Sequence, residues 1–328
     1  MRRRPPRARP RVAGLLVTLL AFAGALLAWA APASAGPRTH RPARGASASR
    51  TRREIARVER YWTPARMRSA RPLELAVDGS GATHLRLGPA EAAAGGATTS
   101  FSPVATPDTP PYSFNGRIFI KRGNLRGYCS GTAIDSPTRQ LVLTAGHCVN
   151  SGREGGRASV WSNFMEFVPA YTGGQAPFGA FVAHRASIFA LKPWTNHGNP
   201  DFDMGAMLVH PNAEGVNVAD AVGGGATIVS GLSRHQQFES FGYPGETKRM
   251  QTCRSPYVGD DALTYRYAGP PTLAIHCRWA PGASGGGWLI AGGTEIDGIN
   301  TYLHIDDKSH TFGPYFSPEN VGKLVAGL

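Results

Sequence analysis

Beyond residue 110 the apolar positions come in short runs of β-branched, aromatic and aliphatic residues, each closed by glycine, proline, asparagine or aspartate. Strand-like runs fall at 117–121, 130–134, 141–144, 158–161, 164–170, 179–184, 187–191, 204–209, 226–228, 237–243, 273–276, 287–290 and 295–302. Regular spacing of short strands with turn signals between them predicts an all-β sandwich or barrel. A helical period shows in two places only. Ile55, Val58 and Trp62 fall at three- and four-residue steps, so 52–62 is expected to form a short amphipathic helix ended by Thr63-Pro64. At the C-terminus Ser317 stands as N-cap, Pro318 at the first helical position and Glu319 in the first turn, with Val321, Leu324 and Val325 on one face. Between these regions, 88–111 is mostly Ala, Gly, Thr, Ser and Pro, a composition that predicts a linker and a domain boundary near residue 111.

Composition changes this picture at the N-terminus. Residues 1–11 are arginine-rich, 12–30 almost wholly apolar, and Ala33-Ser34-Ala35 offers the small residues a signal peptidase accepts, so 1–35 reads as a secretory signal peptide. A retained membrane anchor is the alternative, because the apolar stretch is long for a signal core. The net charge of +13 at first suggests a nucleic-acid partner. It is unevenly spread: 1–35 carries six Arg and no acid, 36–110 twelve Arg against six acids, and 111–328 seventeen Lys and Arg against sixteen acids. The excess precedes the expected core domain, and no nucleic-acid face on that domain is supported. Secretion would put the four cysteines in an oxidising compartment; three pairings are possible, and spacing favours Cys129 with Cys148 and Cys253 with Cys277.

Three segments carry candidate chemistry. Leu-Thr-Ala-Gly-His-Cys at 143–148 puts an imidazole at the end of a β-run, and Cys129 with the following 130–134 run stands nineteen residues ahead of Cys148. Pro-Gly-Ala-Ser-Gly-Gly at 281–286 flanks a serine with glycines that permit a tight, positive-φ backbone and so can aim amide N–H groups into one space. Asn-Pro-Asp-Phe-Asp-Met at 199–204 leads into an apolar strand. A serine hydroxyl needs a base to take its proton, and the base needs a carboxylate to orient it.

These motifs together resemble the trypsin/chymotrypsin-like serine peptidases, over about residues 111–328. The closest likeness is to the secreted bacterial branch of glutamyl endopeptidases and actinobacterial relatives, through the 277–284 spacing and the run at 167–171. The resemblance implies two antiparallel β-barrels followed by a C-terminal helix. It implies His147 as base and then acid, Asp203 as its orienting carboxylate, Ser284 as nucleophile, and the amides of Gly282 and Ser284 as oxyanion hole. Asp201 competes with Asp203 for the carboxylate role. The order histidine, aspartate, serine argues against an α/β-hydrolase, which needs its acid and histidine after the serine. Residues 36–110 would be a pro-segment and linker, since 61–73 resembles the segments ahead of such secreted peptidases.

Two departures limit the transfer. Ala283 stands where many animal relatives have an aspartate that pairs with a new N-terminus, so activation through that ion pair is not available; removal of the pro-segment would act otherwise, by unblocking the cleft, with mild activation by cleavage between about residues 71 and 111. In the specificity pocket, Arg278 replaces the aspartate that selects Arg or Lys. Asn300 stands near the histidine of glutamyl endopeptidases, with Thr301 and Tyr302 beside it. Arg278 could pair with an acidic substrate side chain, although an exposed or salt-bridged arginine is the commoner role.

The remaining histidines show no metal-binding spacing, so neither metal nor other cofactor is expected. The reading is a secreted, monomeric serine endopeptidase acting on proteins or peptides through an acyl-enzyme, in contact with a membrane only during export. A non-catalytic binding module on the same fold and an esterase are the alternatives.

Overall fold

In the computed structural model of the chain, residues 44–88 and 101–328 are described, apart from positions 246, 248 and 308. The signal peptide expected at 1–35 lies outside the described residues. Among the described residues no helix is long and apolar enough to cross a membrane.

The chain enters through helix α1 (Arg44–Tyr61) and the short α2 (Pro64–Arg68), followed by strands β1 (Arg71–Val77), β2 (Thr83–Leu87) and β3 (Ser102–Pro103). The helix expected from the 55, 58, 62 spacing is present, and Val58 and Trp62 are the residues it buries. Trp62 Nε1 donates to the Phe164 carbonyl at 2.5 Å, and its ring lies 5.4 Å from that of Phe119.

Six strands then close on themselves: β4 (Asn115–Arg122), β5 (Leu125–Ala133), β6 (Leu141–Thr144), β7 (Asn163–Pro169), β8 (Phe181–Ala190) and β9 (Gly205–Val209). The antiparallel ladders run β4–β5–β6–β9–β8–β7 and back to β4, which removes every sheet edge. Ile118, Phe119, Val142, Leu143, Phe167, Phe181, Ala206 and Met207 are wholly buried, in the interior or under the elements packed on the barrel wall. The helix α3 (Gly146–Val149) interrupts the chain after β6.

The second barrel follows: β10 (Thr227–Ile228), β11 (Gln237–Gly242), β12 (Gln251–Asp260), β13 (Leu273–Ile275), β14 (Gly287–Ile290), β15 (Glu295–Ile299), β16 (Tyr302–His304) and β17 (Thr311–Gly313). Its ladders run β15–β14–β11–β12–β13–β17–β16, and the ring is completed because the chain passes from β15 into β16 after only two residues. This is the all-β double barrel expected from sequence.

Some elements differ from the expectation. The runs at 179–184 and 187–191 are one strand, β8, with a register shift between Ala183 and Ile188. The run at 158–161 keeps only an isolated bridge from Trp161 to Asn150. At the C-terminus a π-helical turn, Pro318–Gly322, precedes the helix Lys323–Ala326. Its start is tied by Asn320, whose Oδ1 accepts from the Ser317 N–H at 2.8 Å, while Ser317 Oγ makes no hydrogen bond. The stretch expected as an unpacked linker is in part packed: Ser102 and Pro103 pair with β12, and Val104 is buried. Packing extends upstream of residue 111 as well, since Leu73, Leu75, Ala76 and Val77 of β1 are all buried.

Candidate active site

His147 sits in α3, immediately after β6 delivers it to the end of the first barrel. Asp203 ends the short helical turn Pro200–Phe202, just before β9, and β9 pairs with β6 in register from Thr144↔Gly205. That ladder brings the two residues together although they are 56 positions apart. His147 Nδ1 lies 2.8 Å from Asp203 Oδ2, and the His147 backbone N–H donates to Asp203 Oδ1 at 2.7 Å. Both side chains are fully buried. A carboxylate at Nδ1 places the ring proton there and leaves Nε2 as the acceptor. Nε2 is buried without a hydrogen-bond partner among the described residues. Asp201, the competing carboxylate, lies elsewhere: its oxygens have no hydrogen-bond partner, and Thr264 commits its hydroxyl proton to the Asp261 carbonyl at 2.8 Å.

The loop that carries Ser284 is tied to both barrels. Ser130 N–H donates to the Ser284 carbonyl at 2.8 Å, Ser130 Oγ to the Gly282 carbonyl at 2.9 Å, and the Gly285 N–H to the Asn300 carbonyl at 2.7 Å. Gly282 and Gly285 adopt φ of +98° and +86°, a backbone that residues with a Cβ rarely reach, and at Gly285 a Cβ would also meet Thr144 Oγ1 at 2.1 Å. Ser284 keeps 8% of its surface exposed. Its carbonyl approaches Cys148 Sγ at 3.8 Å, which puts the serine loop against the residue following His147. No hydrogen bond joins Ser284 to His147 Nε2; such bonds commonly tighten only when substrate binds. The Gly282 N–H donates to the carbonyl of Leu73 at 2.7 Å.

Both disulfides expected from spacing are formed, Cys129–Cys148 and Cys253–Cys277. The imidazole of His147 and the sulfurs of Cys129 and Cys148 lie within 4.8 Å of one another, but the sulfurs are spent in the disulfide and Nδ1 faces Asp203, so this triplet does not offer a metal its ligands.

Of the pocket residues expected from sequence, Asn300 also supports the serine loop. Its Nδ2 donates to the carbonyls of Phe241 and Ala283 at 2.7 and 3.2 Å, and its Oδ1 accepts from Ser240 and Trp288 at 2.9 and 2.7 Å. With both ends of the amide taken, Asn300 braces the serine loop from behind and has no donor left for a ligand. Thr301 Oγ1 donates to the Phe312 carbonyl, and the Tyr302 hydroxyl lies within hydrogen-bond distance of Thr272 and Asp261. Together with Ala283 and Ser284 these residues line one small cavity. Arg278 does not line that cavity; its charge acts on Glu74, which does.

Sequence reasoning missed Arg122 and Trp194. Arg122 Nη2 donates to the carbonyls of His147 and Cys148 at 2.6 and 3.2 Å and to Ser162 Oγ at 2.8 Å, so a buried guanidinium clamps the backbone that carries the imidazole. Burial holds its pKa down to about 10. Trp194 packs edge-on to His147 with ring centroids 6.4 Å apart, and its Nε1 donates to the Asn150 carbonyl. Neither residue sits in a motif; an arginine ending a strand gives no sequence signal that it turns inward.

No family model and no curated protein matches the chain. Solved structures do. The chain is similar to the protease Anisep from Arthrobacter nicotinovorans, at 27% identity and a TM-score of 0.55 over 62% of this chain and 90% of that one. It is similar to the thermostable serine protease AL20 from an extremophilic microorganism, at 25% identity and a TM-score of 0.55 over 62% and 92%. A Glu endopeptidase shares the fold, at 18% identity and a TM-score of 0.55 over 69% and 95%. By fold and by these likenesses the chain is a structural relative of the bacterial trypsin/chymotrypsin-like serine proteases.

Proposed function

We propose that the chain is a secreted serine endopeptidase, made as a precursor, in which Ser284 attacks a peptide carbonyl and His147 and Asp203 drive the attack. The observation that carries this reading is the 2.8 Å contact of His147 Nδ1 with the buried Asp203 carboxylate, on an imidazole whose Nε2 is left as an acceptor. In that tautomer Nε2 takes the Ser284 proton as Oγ attacks, and Asp203 stabilises the imidazolium that results. The tetrahedral oxyanion is met by the Gly282 and Ser284 amides. Nε2 then protonates the leaving amine, and water, activated by the same nitrogen, releases the acyl group from Ser284. The likeness to Anisep and AL20, a protease and a serine protease, favours peptide bonds as the substrate. The two disulfides favour an oxidising compartment.

The test is covalent labelling of Ser284 by a fluorophosphonate, followed by casein and ester turnover. Ser284→Ala should lose labelling and turnover completely. Asp203→Asn should keep the fold and lose about 10⁴ in kcat, because the amide favours the wrong tautomer. A wild-type chain that folds yet neither labels nor turns over either substrate, with its N-terminal segment removed, would leave the binding module. Ester turnover without casein cleavage would leave the esterase.

A further inference from the structure

Strand β1 crosses the mouth of the candidate active site and touches both barrels. Arg71 and Pro72 pair in parallel with Gly127 and Tyr128 of β5, on the first barrel. Leu75, Ala76 and Val77 pair in parallel with Tyr302, Leu303 and His304 of β16, on the second. Leu73 and Glu74 span the seam between them. The Leu73 carbonyl accepts from the Gly282 N–H, the amide assigned above to the oxyanion. Glu74 lines the cavity beside Ser284 together with Ala283, Thr301, Tyr302 and Thr311. About 20 Å³ of that cavity is left open. This suffices for roughly one water and for no substrate side chain.

The direction of this strand separates it from a substrate. In acyl transfer the pocket receives the side chain of the residue whose carbonyl is attacked, so pocket and oxyanion site are filled by the same residue. Here the carbonyl at Gly282 belongs to Leu73 and the side chain at the pocket to the residue after it, Glu74. A chain that filled both sites from one residue would have to run the other way. Ser284 therefore faces a strand whose acyl and leaving sides are exchanged.

The segment is also firmly anchored. Its other edge pairs antiparallel with β2 from Leu73↔Leu87 to Val77↔Thr83. Leu73 and Leu75 are buried to within 1%. Burial raises the Glu74 carboxyl pKa, while the Arg86 and Arg278 guanidinium groups pull it back toward the charged form.

Resting on the serine-peptidase reading, we propose that Arg71–Val77 is an internal inhibitor which fills the substrate cleft in reversed polarity, with Leu73 in the oxyanion site and Glu74 at the side-chain pocket. Reversal explains how a strand can lie across the nucleophile of its own chain and remain uncut. It also specifies activation: the segment must leave the cleft, since cleavage downstream of it frees no group that could complete the site.

The full chain provides the test, with the rate of fluorophosphonate labelling at Ser284 as readout. Glu74→Arg puts a cation where Arg278 already acts, and Leu75→Pro removes a main-chain donor from the strand. Each should speed labelling by about tenfold, the factor for releasing a cleft closed roughly nine-tenths of the time. A synthetic peptide of residues 68–88 should slow both variants again and be recovered intact by mass spectrometry. Labelling of wild type and both variants at one equal rate would overturn the inhibitor and leave the peptidase reading standing. Cutting of the peptide at the 73–74 or 74–75 bond would overturn the reversed polarity. Absence of labelling in wild type, in both variants and after excision of the segment would remove the peptidase reading and the inhibitor with it.

Discussion

Asp201 and Asp203 are two positions apart and both fully buried, yet only Asp203 faces His147. The difference lies in hydrogen bonding. Asp203 receives the imidazole and the His147 N–H, whereas the Asp201 carboxyl is desolvated with no donor, and burial pushes its pKa from 3.8 up to about 7. A carboxyl whose folded pKa is raised contributes stability below its unfolded pKa and loses it as pH rises through the folded value. The relevant window runs from about pH 4 to pH 7. Asp201→Asn, which keeps the shape and removes the charge, should raise the melting temperature at pH 8 and change it little at pH 4. Equal shifts at both pH values in thermal melts would refute the assignment. The sequence offered both aspartates and a reason to prefer the one beside the strand. It held no sign of Arg122, because the three acceptors of that guanidinium, His147, Cys148 and Ser162, lie 25 to 40 positions away.

At the scale of elements, turn signals and apolar runs located most of the barrel strands, and misplaced those whose pattern is mixed. β12 carries no clear strand signal in the sequence, since Arg254, Pro256 and Gly259 interrupt it, although Cys253, Ser255 and Tyr257 are each more buried than the residues between them. Pro256 is tolerated at the end of the ladder, opposite Gln237. The run expected at 295–302 breaks into β15 and β16 because Asn300 turns to the serine loop, with its N–H given to the Gly286 carbonyl and its carbonyl taken by Gly285. The Cys129–Cys148 bridge joins β5 to α3 across a separation of 19 residues. The chain-entropy argument gives about 3 kcal/mol for a loop of this size. The double variant Cys129→Ala/Cys148→Ala should lose about that much in denaturant unfolding, and a loss under about 1 kcal/mol would show that Arg122 and the barrel already hold α3 in place.

Over the whole molecule, the N-terminal region is joined to the barrels at several places, among them Trp62 against Phe119 and Phe164, β1 across the cleft, and β3 beside β12. Packing against the barrels accordingly reaches upstream of residue 111, to Val58 and Trp62. Trp62→Ala removes a large buried ring together with its hydrogen bond, and should cost about 3–5 kcal/mol of docking energy for α1. Limited proteolysis would read this as faster cutting within residues 44–70, while the barrels persist. Unchanged cutting would mean that β1 and β2 alone hold the segment.

The sequence by itself determined the all-β class and the three segments that carry candidate chemistry and favoured one of three disulfide pairings, because strand runs, cysteine spacing and a glycine-flanked serine can be read along the chain. Which carboxylate meets the imidazole, which arginine clamps it, and that Asn300 braces the serine loop as well as lining the cavity beside it were decided only by the tertiary structure. So was the occupant of the cleft. Each depends on residues brought together by strand register across two barrels, and register is a relation between distant segments that no single stretch of chain encodes.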